Sequence, residues 1–499
     1  MADTPTAFSG TSPSSPEDVR SALHQAADQV ADYIESLESR EIFPNDAEAP
    51  TGDLVPSKGA PLQDVFSDVA QWAIDNAIHV GAPGYVGHMD SGVAVAGIMG
   101  DLLISALNQN MLAYELAPGA TLLEKKLVRF FTQHAGLPQS SGGLFTTGGT
   151  TANLTAILMA RNEAAVHAST QGLANSDSFC VFASADAHYS ISKSCAVLGI
   201  GSESVIAVPV CGPERKMDVS TLPELIQAQR ALGKYPIALV ATAGTTSCGA
   251  IDPLPECAAF CEAQGLWFHV DAAHGGALLL HQDKKSLLSG TSSADSITLD
   301  PHKWLYTPKT AGLLLVRDEN KLQTADYKAP YLDRHAPHGE ALPISQGRRA
   351  LDGSRRFDAL KVWLTLRHLG LEGIQELLES RLQLTQWFYE HLLAHPFFKP
   401  SHRPCLNVLA FEPRCPVSAD MMRSVHQKVE SQGQIWPSYT SLDGRPCHRV
   451  VLINPSTQKE HLLLCLSQLQ DAHTQELALA SRNPKVLTFS PNSFPKESN

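Results

Sequence analysis

The chain has 499 residues, of which 43% are hydrophobic and 18% are charged, and its formal net charge is −13. This length and hydrophobic content allow a large core and more than one domain. The negative charge argues against nucleic acid or an anionic membrane surface as the main partner, because either would favour a basic patch. The composition is typical of an ordinary globular protein and is compatible with an enzyme.

The sequence has no pattern of a targeting signal, a membrane span or a metal site. The N-terminal stretch lacks a basic segment followed by an apolar core, and no apolar run is long enough to cross a bilayer. The ten cysteines are scattered, with no CxxC pair and no Cys/His cluster at zinc-ligand spacing. We therefore expect a cytoplasmic protein with reduced thiols, no bound metal and no membrane partner.

The two ends of the chain and its first helix have distinct patterns. Residues 1–16 and 481–499 are rich in Ser, Pro, Thr and Asn, which predicts disordered tails. Between Val19 and Leu37, apolar residues recur at helical spacing, which predicts an amphipathic helix. We assign residues 17–115 to an N-terminal helical segment.

From about residue 120 the chain alternates helical patterns with short apolar runs. The runs are FCVFAS, SVIAVPV, PIALVATA, LWFHVDAA, SITLD and AGLLLV. Such runs, separated by helices, are typical of strands buried on both faces of a mostly parallel sheet. We therefore predict an α/β fold with a large domain over 116–370. After a long helix around 357–369, the runs NVLAFEP and RVVLINP predict a small C-terminal α/β domain over 371–480.

Polar residues follow the ends of several predicted strands. Asp271 directly follows LWFHV, and His188 lies in the turn after FCVFAS. Thr246 follows PIALVATA, and His302 and Lys303 follow SITLD. An earlier strand, GGLF, leads into a Gly/Thr turn and then a helix. Because ligands of open α/β sheets bind at the carboxyl ends of the strands, these groups are candidates for one site.

Each of these groups has a use if the ligand is pyridoxal phosphate. The TTGGTT turn at a helix start offers N–H groups and hydroxyls to a phosphate. Lys303 would form a Schiff base through its amine, and Asp271 would keep a proton on the pyridine nitrogen. His188 would stack on the ring, and Thr246 would bind near its phenolic oxygen. Taken singly, each residue also has an ordinary explanation. Lys303 could be a solvated lysine, Asp271 a helix N-cap, His188 a core or surface histidine, and Thr246 a turn threonine.

Five segments in a fixed order carry a family resemblance: TTGGTTANLTA, DAHYSISKSCAVLGIG, TAGTTSCGAIDPL, HVDAAHGG and DPHKW. Together they closely resemble the group II pyridoxal-phosphate-dependent amino acid decarboxylases. That family includes the aromatic amino acid, histidine, glutamate and cysteine sulfinate decarboxylases. The resemblance spans about residues 20 to 470 and implies fold type I with a seven-stranded sheet. It also implies an obligate homodimer with its active site at the subunit interface, and gives residues 17–115 a part in dimer formation.

The resemblance implies a role for each matching residue. Lys303 would be the Schiff-base lysine, Asp271 the partner of the pyridine nitrogen and His188 the stacking residue. The other matches are Ala273 on the opposite ring face, Thr246 and His302 as active-site polar groups, and Gly149 and Thr150 at phosphate-binding positions.

The resemblance is mixed at the substrate end of the site. Tyr331, in KAPYLDRH, matches a mobile catalytic loop whose tyrosine is associated with giving a proton to the substrate carbon after CO2 leaves. Arg355, in SRRFDALKVW, matches an arginine that in some members binds the substrate carboxylate; otherwise it is a surface charge at a helix start. His88, Met89 and Asp90 stand where aromatic-type members carry aromatic residues, which favours a polar or acidic substrate side chain. His88 and Arg355 are our candidate substrate-binding residues.

We expect an L-amino acid α-decarboxylase, a carboxy-lyase that uses pyridoxal 5'-phosphate and releases CO2 and an amine. The alternatives on the same fold are an aminotransferase and an aldehyde-forming oxidative deaminase; a phenylalanine at Tyr331 would have favoured the deaminase. A cofactor-free binding protein on this scaffold would be expected to lack Lys303 or Asp271, and both are present. Asp300 departs from the aromatic-type pattern, which has an asparagine near the phosphate.

Overall fold

The computed structural model describes residues 16–43, 47–174, 178–322 and 345–482. These residues form two compact units. The first unit contains the described residues up to Gly92, Asp420–Ser438 and the described residues from Asn454 onwards. The second contains the described parts of Val93–Ala419 together with Tyr439–Ile453. The domain boundaries expected from the sequence stay predictions.

The described residues contain twelve α-helices, none of which is long and apolar enough to cross a membrane. They are α1 (Pro16–Ser36), α2 (Leu62–Asp75), α3 (Val95–Leu107), α4 (Pro118–His134), α5 (Gly149–Ala164), α6 (Ala168–Gln171), α7 (Ser190–Val197), α8 (Leu222–Ala231), α9 (Leu254–Gln264), α10 (Ala359–Ala394), α11 (Ala419–Glu430) and α12 (Lys459–Arg482).

The same residues contain thirteen strands. They are β1 (Gly142–Thr146), β2 (Phe179–Ser184), β3 (Val205–Val208), β4 (Val210–Cys211), β5 (Lys216–Met217), β6 (Tyr235–Thr242), β7 (Trp267–Asp271), β8 (Ser296–Leu299), β9 (Gly312–Val316), β10 (Phe398–Pro400), β11 (Val408–Pro413), β12 (Ser438–Leu442) and β13 (Arg445–Val451).

The second unit is built around a seven-stranded sheet with the order β1-β9-β8-β7-β6-β2-β3. Strands β8, β7, β6, β2 and β3 run parallel, whereas β9 is antiparallel to both of its neighbours, β1 and β8. Every residue of β1, β2, β7, β8 and β9 is buried, as expected for strands covered on both faces. The predicted α/β fold with a mostly parallel sheet is confirmed.

Helix α5 packs on this sheet through small and apolar side chains. Ala152, Ala156 and Met159 of α5 share one buried cluster with Val181 of β2 and Val240 of β6. Alanine side chains allow a helix to approach a sheet closely, and burial of each larger apolar side chain contributes roughly 1.5–3 kcal/mol. This packing fixes the first turn of α5 beside the ends of the strands.

A smaller sheet with the order β10-β11-β13-β12 follows α10 in the chain. Strand β11 is antiparallel to β10 and to β13. The strand-like runs NVLAFEP and RVVLINP fall on β11 and β13. Helix α10 contains Gly370 at φ 64° and ψ 173°, where it kinks, because glycine adopts this conformation without a steric penalty.

The first unit is formed mainly by α1, α2, α11 and α12. A buried cluster of Ile42, Ala82 and Tyr85, with Trp436 packed against it, joins its segments. The N–H of Ile42 donates to the carbonyl of Gly433 at 2.8 Å, which ties the segment after α1 to the segment after α11. The predicted amphipathic first helix is confirmed as α1.

Candidate active site

The carboxyl ends of β1, β8, β7, β6 and β2 lie along one edge of the large sheet. This follows from the pairing, since β9 is antiparallel to both β1 and β8 and the other pairs are parallel. Within the sheet, Asp271 is the register partner of Thr242 on one side and Thr298 on the other. The turns that follow these strands therefore bring the predicted polar residues to one place.

Asp271 ends β7 and is 5% exposed. Its Oδ1 accepts the backbone N–H of Ala273 at 3.1 Å, and its Oδ2 accepts Nδ2–H of Asn153 at 2.8 Å. Both contacts are donations to the carboxylate, and each of its oxygens can accept a further hydrogen bond. The carboxylate is therefore fixed in orientation and still able to accept a donor from a ligand.

Lys303 follows β8, in the turn before β9. Its Nζ lies 3.2 Å from Oδ2 of Asp300, and the two side chains are 23% and 2% exposed. The backbone N–H of Lys303 donates to the carbonyl of Asp300 at 3.0 Å, which closes the turn. The lysine between the two buried strands is thus paired with a buried carboxylate and not simply solvated.

His302 faces the same carboxylate. Its Nε2 lies 3.7 Å from Oδ2 of Asp300, and its Nδ1 lies 2.7 Å from the carbonyl oxygen of Ala311. Burial lowers the pKa of His302, although the negative charge of Asp300 raises it in part. Burial therefore favours the neutral imidazole, and because Nδ1 contacts the backbone of Ala311, it is Nε2 that faces Asp300.

His188 follows β2 and is half-buried. Its Nδ1 accepts the backbone N–H of Ser190 at 3.3 Å. Burial lowers the pKa of His188; the charge of Asp271 raises it and that of Lys303 lowers it. These opposing influences indicate that the imidazole lies within electrostatic range of both residues, and a neutral ring of this kind suits stacking on an aromatic ligand.

The first turn of α5 lies against the turns that carry Asp300 and Ala273. A Cβ added at Gly149 would lie 2.9 Å from Oδ2 of Asp300 and 3.2 Å from Cβ of Ala273, and one at Gly148 would lie 3.3 Å from Cε1 of His302. Glycine allows this close approach. Because the first N–H groups of a helix have no acceptor inside the helix, they suit an anion such as a phosphate. Thr150, also in this turn, is half-buried.

Thr246 lies in the turn after β6 and is half-buried. Its carbonyl oxygen accepts Nη1–H of Arg449 at 2.9 Å, and the hydroxyl of the preceding Thr245 accepts the N–H of Ala250 at 3.0 Å. These bonds hold the turn in place. The side chain of Thr246 is consequently carried by a rigid turn at the same sheet edge.

Arg355 is engaged by a buried partner. Its Nη1 donates to Oε2 of Glu124 at 3.0 Å and its Nη2 to Oε1 at 2.8 Å, and Nη1 also donates to the carbonyl of Phe145 at 3.1 Å. The Arg355 and Glu124 side chains are only 5% and 1% exposed. As a ligand of a substrate carboxylate, Arg355 would have to share its N–H groups with Glu124, and that role stays a prediction.

Two other predicted residues, His88 and Tyr331, are not part of the described second unit, and their roles stay predictions. His88 belongs to the first unit, is exposed, and its ring centroid lies 5.5 Å from that of Trp436. Tyr331 lies outside the described residues. Within the ranges that the structure describes, no group of three or more His, Cys, Asp or Glu residues could hold a metal ion.

Sequence reasoning missed two contributors to the site and left the role of a third open. Asn153 donates to Asp271, and His269 contacts Asn153. Asp300, noted from the sequence only as a departure from the aromatic-type pattern, pairs with Lys303. The available signal for Asn153 was its position in TTGGTTAN, one helical turn after Gly149, and hence on the side of α5 that faces the sheet. The position of His269 within a buried strand gave no functional signal.

Comparison with known proteins identifies the chemistry of this site. The family model described as the pyridoxal-dependent decarboxylase conserved domain matches residues 44–412. The chain belongs to the pyridoxal-dependent decarboxylase family. Its function is therefore that of a pyridoxal-phosphate-dependent amino acid decarboxylase, a carboxy-lyase, and the aminotransferase and deaminase alternatives are not favoured.

Named relatives and a solved structure agree with this assignment. The decarboxylase is 35% identical over 456 residues to an L-2,4-diaminobutyrate decarboxylase from Rhizobium meliloti, covering 89% of this chain and 90% of that one. It is 27% identical to the aromatic-L-amino-acid decarboxylase of Bacillus atrophaeus, covering 93% and 97%. The structure of Oryza sativa TDC with PLP and tryptamine matches with a TM-score of 0.85 at 26% identity, over 93% of this chain and 99% of that one.

The site's residues fit pyridoxal phosphate. The cofactor has an amine-reactive carbonyl, a basic ring nitrogen, an aromatic ring and a phosphate. The described sheet edge offers an amine on Lys303, a carboxylate with spare acceptor capacity on Asp271, a neutral imidazole on His188 and a helix N-terminus at Gly149.

Proposed function

We propose that this decarboxylase acts on a small amino acid with a charged side chain, and that its substrate is L-2,4-diaminobutyrate. The observation that carries this proposal is the greater identity to the Rhizobium meliloti relative of that name than to the aromatic-type relative. That similarity extends along almost the whole of both chains, so it includes the segments that surround the substrate.

The segment at residues 88–90 supports a charged substrate. Asp90 is half-buried and His88 is exposed. The family resemblance implies that both stand where aromatic-type members carry aromatic residues. A carboxylate attracts the side-chain ammonium of a diamino acid, whereas an aromatic side chain is stabilised by apolar and aromatic neighbours. On the charge of Asp90 we therefore propose a basic substrate, in place of the polar or acidic side chain expected from the sequence.

The cofactor, when bound, draws electrons from the α-carbon of the amino acid so that CO2 can leave. The part of this chain is to hold that group and orient it. Lys303 would attach it through its amine, Asp271 would accept a hydrogen bond from the ring nitrogen, and His188 would cover one face of the ring. The first turn of α5, with Gly149 and Thr150, binds the phosphate.

The remaining assigned residues complete the pocket. Ala273 would cover the opposite ring face, where its small side chain leaves room for a planar group. Thr246 and His302 supply polar contacts around the ring. After CO2 has left, the α-carbon takes up a proton to give the amine, and we assign that donation to the phenol of Tyr331.

The working assembly is proposed to be a homodimer. Helix α3 supports this, because one face carries apolar side chains that are 51–59% exposed in the single chain, namely Val95, Met99, Leu102, Leu103 and Leu107. An apolar stripe of this kind is commonly buried against another subunit. Sedimentation at working concentration should give a two-subunit species, and a fully active monomer would contradict the proposal.

A cytoplasmic location is proposed from the state of the cysteines. All ten are free thiols, and most are buried. Reduced thiols are typical of proteins that work in a reducing compartment. Fractionation of the source cells would test this, and recovery outside the cytoplasm would refute it.

A substrate screen tests the proposed activity. The purified holoenzyme is incubated with a panel containing L-2,4-diaminobutyrate, aspartate, glutamate, tryptophan and tyrosine, and both CO2 and amine are measured. We expect the largest kcat/KM for L-2,4-diaminobutyrate, with 1,3-diaminopropane as product. A preference for aspartate or an aromatic amino acid would refute the proposed substrate but not the decarboxylase activity. Absence of CO2 release from every amino acid would contradict the decarboxylase activity itself.

A further inference from the structure

Asn153 is buried beneath Asp271 and uses its whole side-chain amide. Its exposed fraction is 1%. Its Nδ2 donates to Oδ2 of Asp271 at 2.8 Å and to Oγ of Ser190 at 2.9 Å. Its Oδ1 accepts from Oγ1 of Thr298 at 2.7 Å and lies 3.0 Å from Nε2 of His269. A buried amide with four partners has no freedom to rotate.

The chemistry of the partners fixes the direction of these hydrogen bonds. An ionised carboxylate only accepts, so the NH2 group of Asn153 must face Asp271 and its oxygen must face His269. Nε2 of His269 must then carry the proton, which makes its Nδ1 an acceptor for the hydroxyl of Ser296 at 2.8 Å. Oγ of Ser296 in turn accepts Nε1–H of Trp267, also at 2.8 Å.

The result is a relay of hydrogen bonds that runs in one direction only. It starts at the indole of Trp267, which can only donate, and passes through Ser296, His269 and Asn153 to Asp271. Four bonds thus point toward the carboxylate, and each side chain in the relay is buried. Reversing any one of them would leave a buried polar group without a partner, which is costly.

The relay requires an uncharged imidazole. His269 has 0% exposure, and burial lowers its pKa, although the charge of Asp271 opposes this in part. The side chains that contact the ring nitrogens are those of Asn153, Ser296 and Thr298, none of which is charged, and the backbone of Ser296 raises the pKa in part. A protonated ring would donate from both nitrogens, so its Nδ1–H would face the hydroxyl hydrogen that Ser296 donates in the relay.

We propose that Asn153 and His269 are positioning residues that hold the carboxylate of Asp271 in the orientation that binds the ring nitrogen of the cofactor. The inference rests on the proposed role of Asp271. One oxygen is fixed by the Ala273 N–H and the other by Asn153, so the carboxylate plane cannot turn. His269 acts through Asn153, because its donated proton determines which end of the amide faces Asp271.

A pair of substitutions at His269 tests the direction of the relay. In His269→Gln an amide N–H can still reach Oδ1 of Asn153, whereas in His269→Leu no donor remains. We expect His269→Gln to keep the cofactor Kd within about threefold and to retain the visible circular dichroism band of the bound cofactor, which reports ring orientation. We expect His269→Leu to raise the Kd about tenfold or more and to diminish that band. The reason is that the relay ending at the carboxylate of Asp271 loses the hydrogen bond to Oδ1 of Asn153.

Asn153→Asp tests the contact with Asp271 directly. The change is isosteric but places an acceptor against the carboxylate, and we expect the Kd to rise at least about tenfold and the band to change. Asn454→Asp is a matched control, because Asn454 is also 1% exposed and also donates twice through Nδ2, to the carbonyls of Gly81 and Ala82. It should lose thermal stability and leave the band unchanged.

The outcomes separate this inference from the role of Asp271. A wild-type Kd and band in His269→Leu would overturn the relay, as would equal impairment of His269→Gln and His269→Leu. If Asn153→Asp does not fold, the two His269 variants decide the matter. If Asp271→Asn itself leaves the Kd and the band unchanged, the proposed role of Asp271 fails; if only Asp271→Asn changes them, that role stands and the positioning role of Asn153 and His269 fails.

Discussion

The ammonium of Lys303 lies 3.2 Å from Oδ2 of Asp300, whose side chain is 2% exposed. The same oxygen lies 3.7 Å from Nε2 of His302. Removing one partner of a buried ion pair leaves the other charge desolvated and uncompensated. In the cofactor-free protein Asp300 is therefore a counter-charge for the lysine, whereas aromatic-type members have an uncharged asparagine at this position.

We expect Asp300→Asn to destabilise the cofactor-free protein more than the cofactor-loaded protein. Without cofactor, the amine of Lys303 has lost its partner in this variant; with cofactor, that nitrogen would be bonded to the cofactor under the proposed role of Lys303. The free energy of unfolding of the cofactor-free form should fall by about 1–3 kcal/mol, with the partial exposure of Lys303 reducing the effect. Urea unfolding of both forms measures this, with Asp283→Asn on an exposed turn as control. Equal losses in the two forms would argue against the counter-charge role.

Asp271→Asn should leave the protein folded and, at saturating cofactor concentration, the cofactor attached despite a raised Kd, but reduce the decarboxylation rate by several powers of ten. A neutral amide cannot keep a proton on the ring nitrogen, so the ring withdraws electrons less strongly. Single-turnover CO2 release from variant enzyme of known cofactor content measures the effect. Turnover near that of the parent enzyme would show that this carboxylate is not the partner of the ring nitrogen.

Tyr331→Phe tests the proton donor in a segment outside the described residues. Without the phenol, the α-carbon left after CO2 departure should be protonated more slowly, and more of it should react with molecular oxygen to give aldehyde, ammonia and peroxide. We expect amine formation to slow sharply and the aldehyde share per CO2 to rise, with cofactor content unchanged. Product analysis with and without oxygen provides the measurement. An unchanged amine rate without added peroxide would leave Tyr331 with no role in proton transfer.

Acid should destabilise the fold, because buried histidines must take up protons on unfolding. Burial lowers their pKa to about 4 for His402 and His473 and to about 3 for His274 and His426. An unfolded histidine titrates near 6.5, so below about pH 6.5 the unfolded chain binds more protons than the folded chain, and each excess proton costs about 1.4 kcal/mol of stability per pH unit.

Several carboxyls oppose this trend, since burial raises the pKa of Asp252, Asp295, Asp358 and Glu430. Burial raises the pKa of Asp252 from its ordinary value of 3.8 to about 7. Between these two pH values the folded chain therefore holds one more proton at Asp252 than the unfolded chain does. The four histidines outweigh Asp252, which has the largest of these carboxyl shifts, and we expect the urea midpoint to fall between pH 7 and pH 5 at constant ionic strength. A higher midpoint at pH 5 would indicate that these histidines are protonated in the folded protein.

The buried strands of the large sheet, and the strand ends where the site residues lie, could be predicted from the sequence. Strands buried on both faces are continuous apolar runs, and a charged residue such as Asp271 at the end of one is conspicuous. The antiparallel insertion of β9 between β1 and β8 could not be predicted in this way, because pairing direction leaves no mark on a buried run.

The partners of the site residues were also beyond sequence reasoning. Arg355 and Glu124 are 231 residues apart in the chain, and their bidentate pairing depends on how α4 and the start of α10 meet. The orientation of the Asn153 amide follows from partners on α7, β7 and β8, so it becomes visible only when these elements are packed together.

The most direct test of the account is the site of covalent cofactor attachment. The holoenzyme is reduced with borohydride, digested, and its peptides are mapped by mass spectrometry, alongside Lys303→Ala and a control variant, Lys309→Ala, from the same loop. We predict a reduced pyridoxyl group on Lys303 in the parent and in Lys309→Ala, and no reducible cofactor linkage and no CO2 release in Lys303→Ala. A pyridoxyl group on another lysine, or retention of the linkage in Lys303→Ala, would contradict the account.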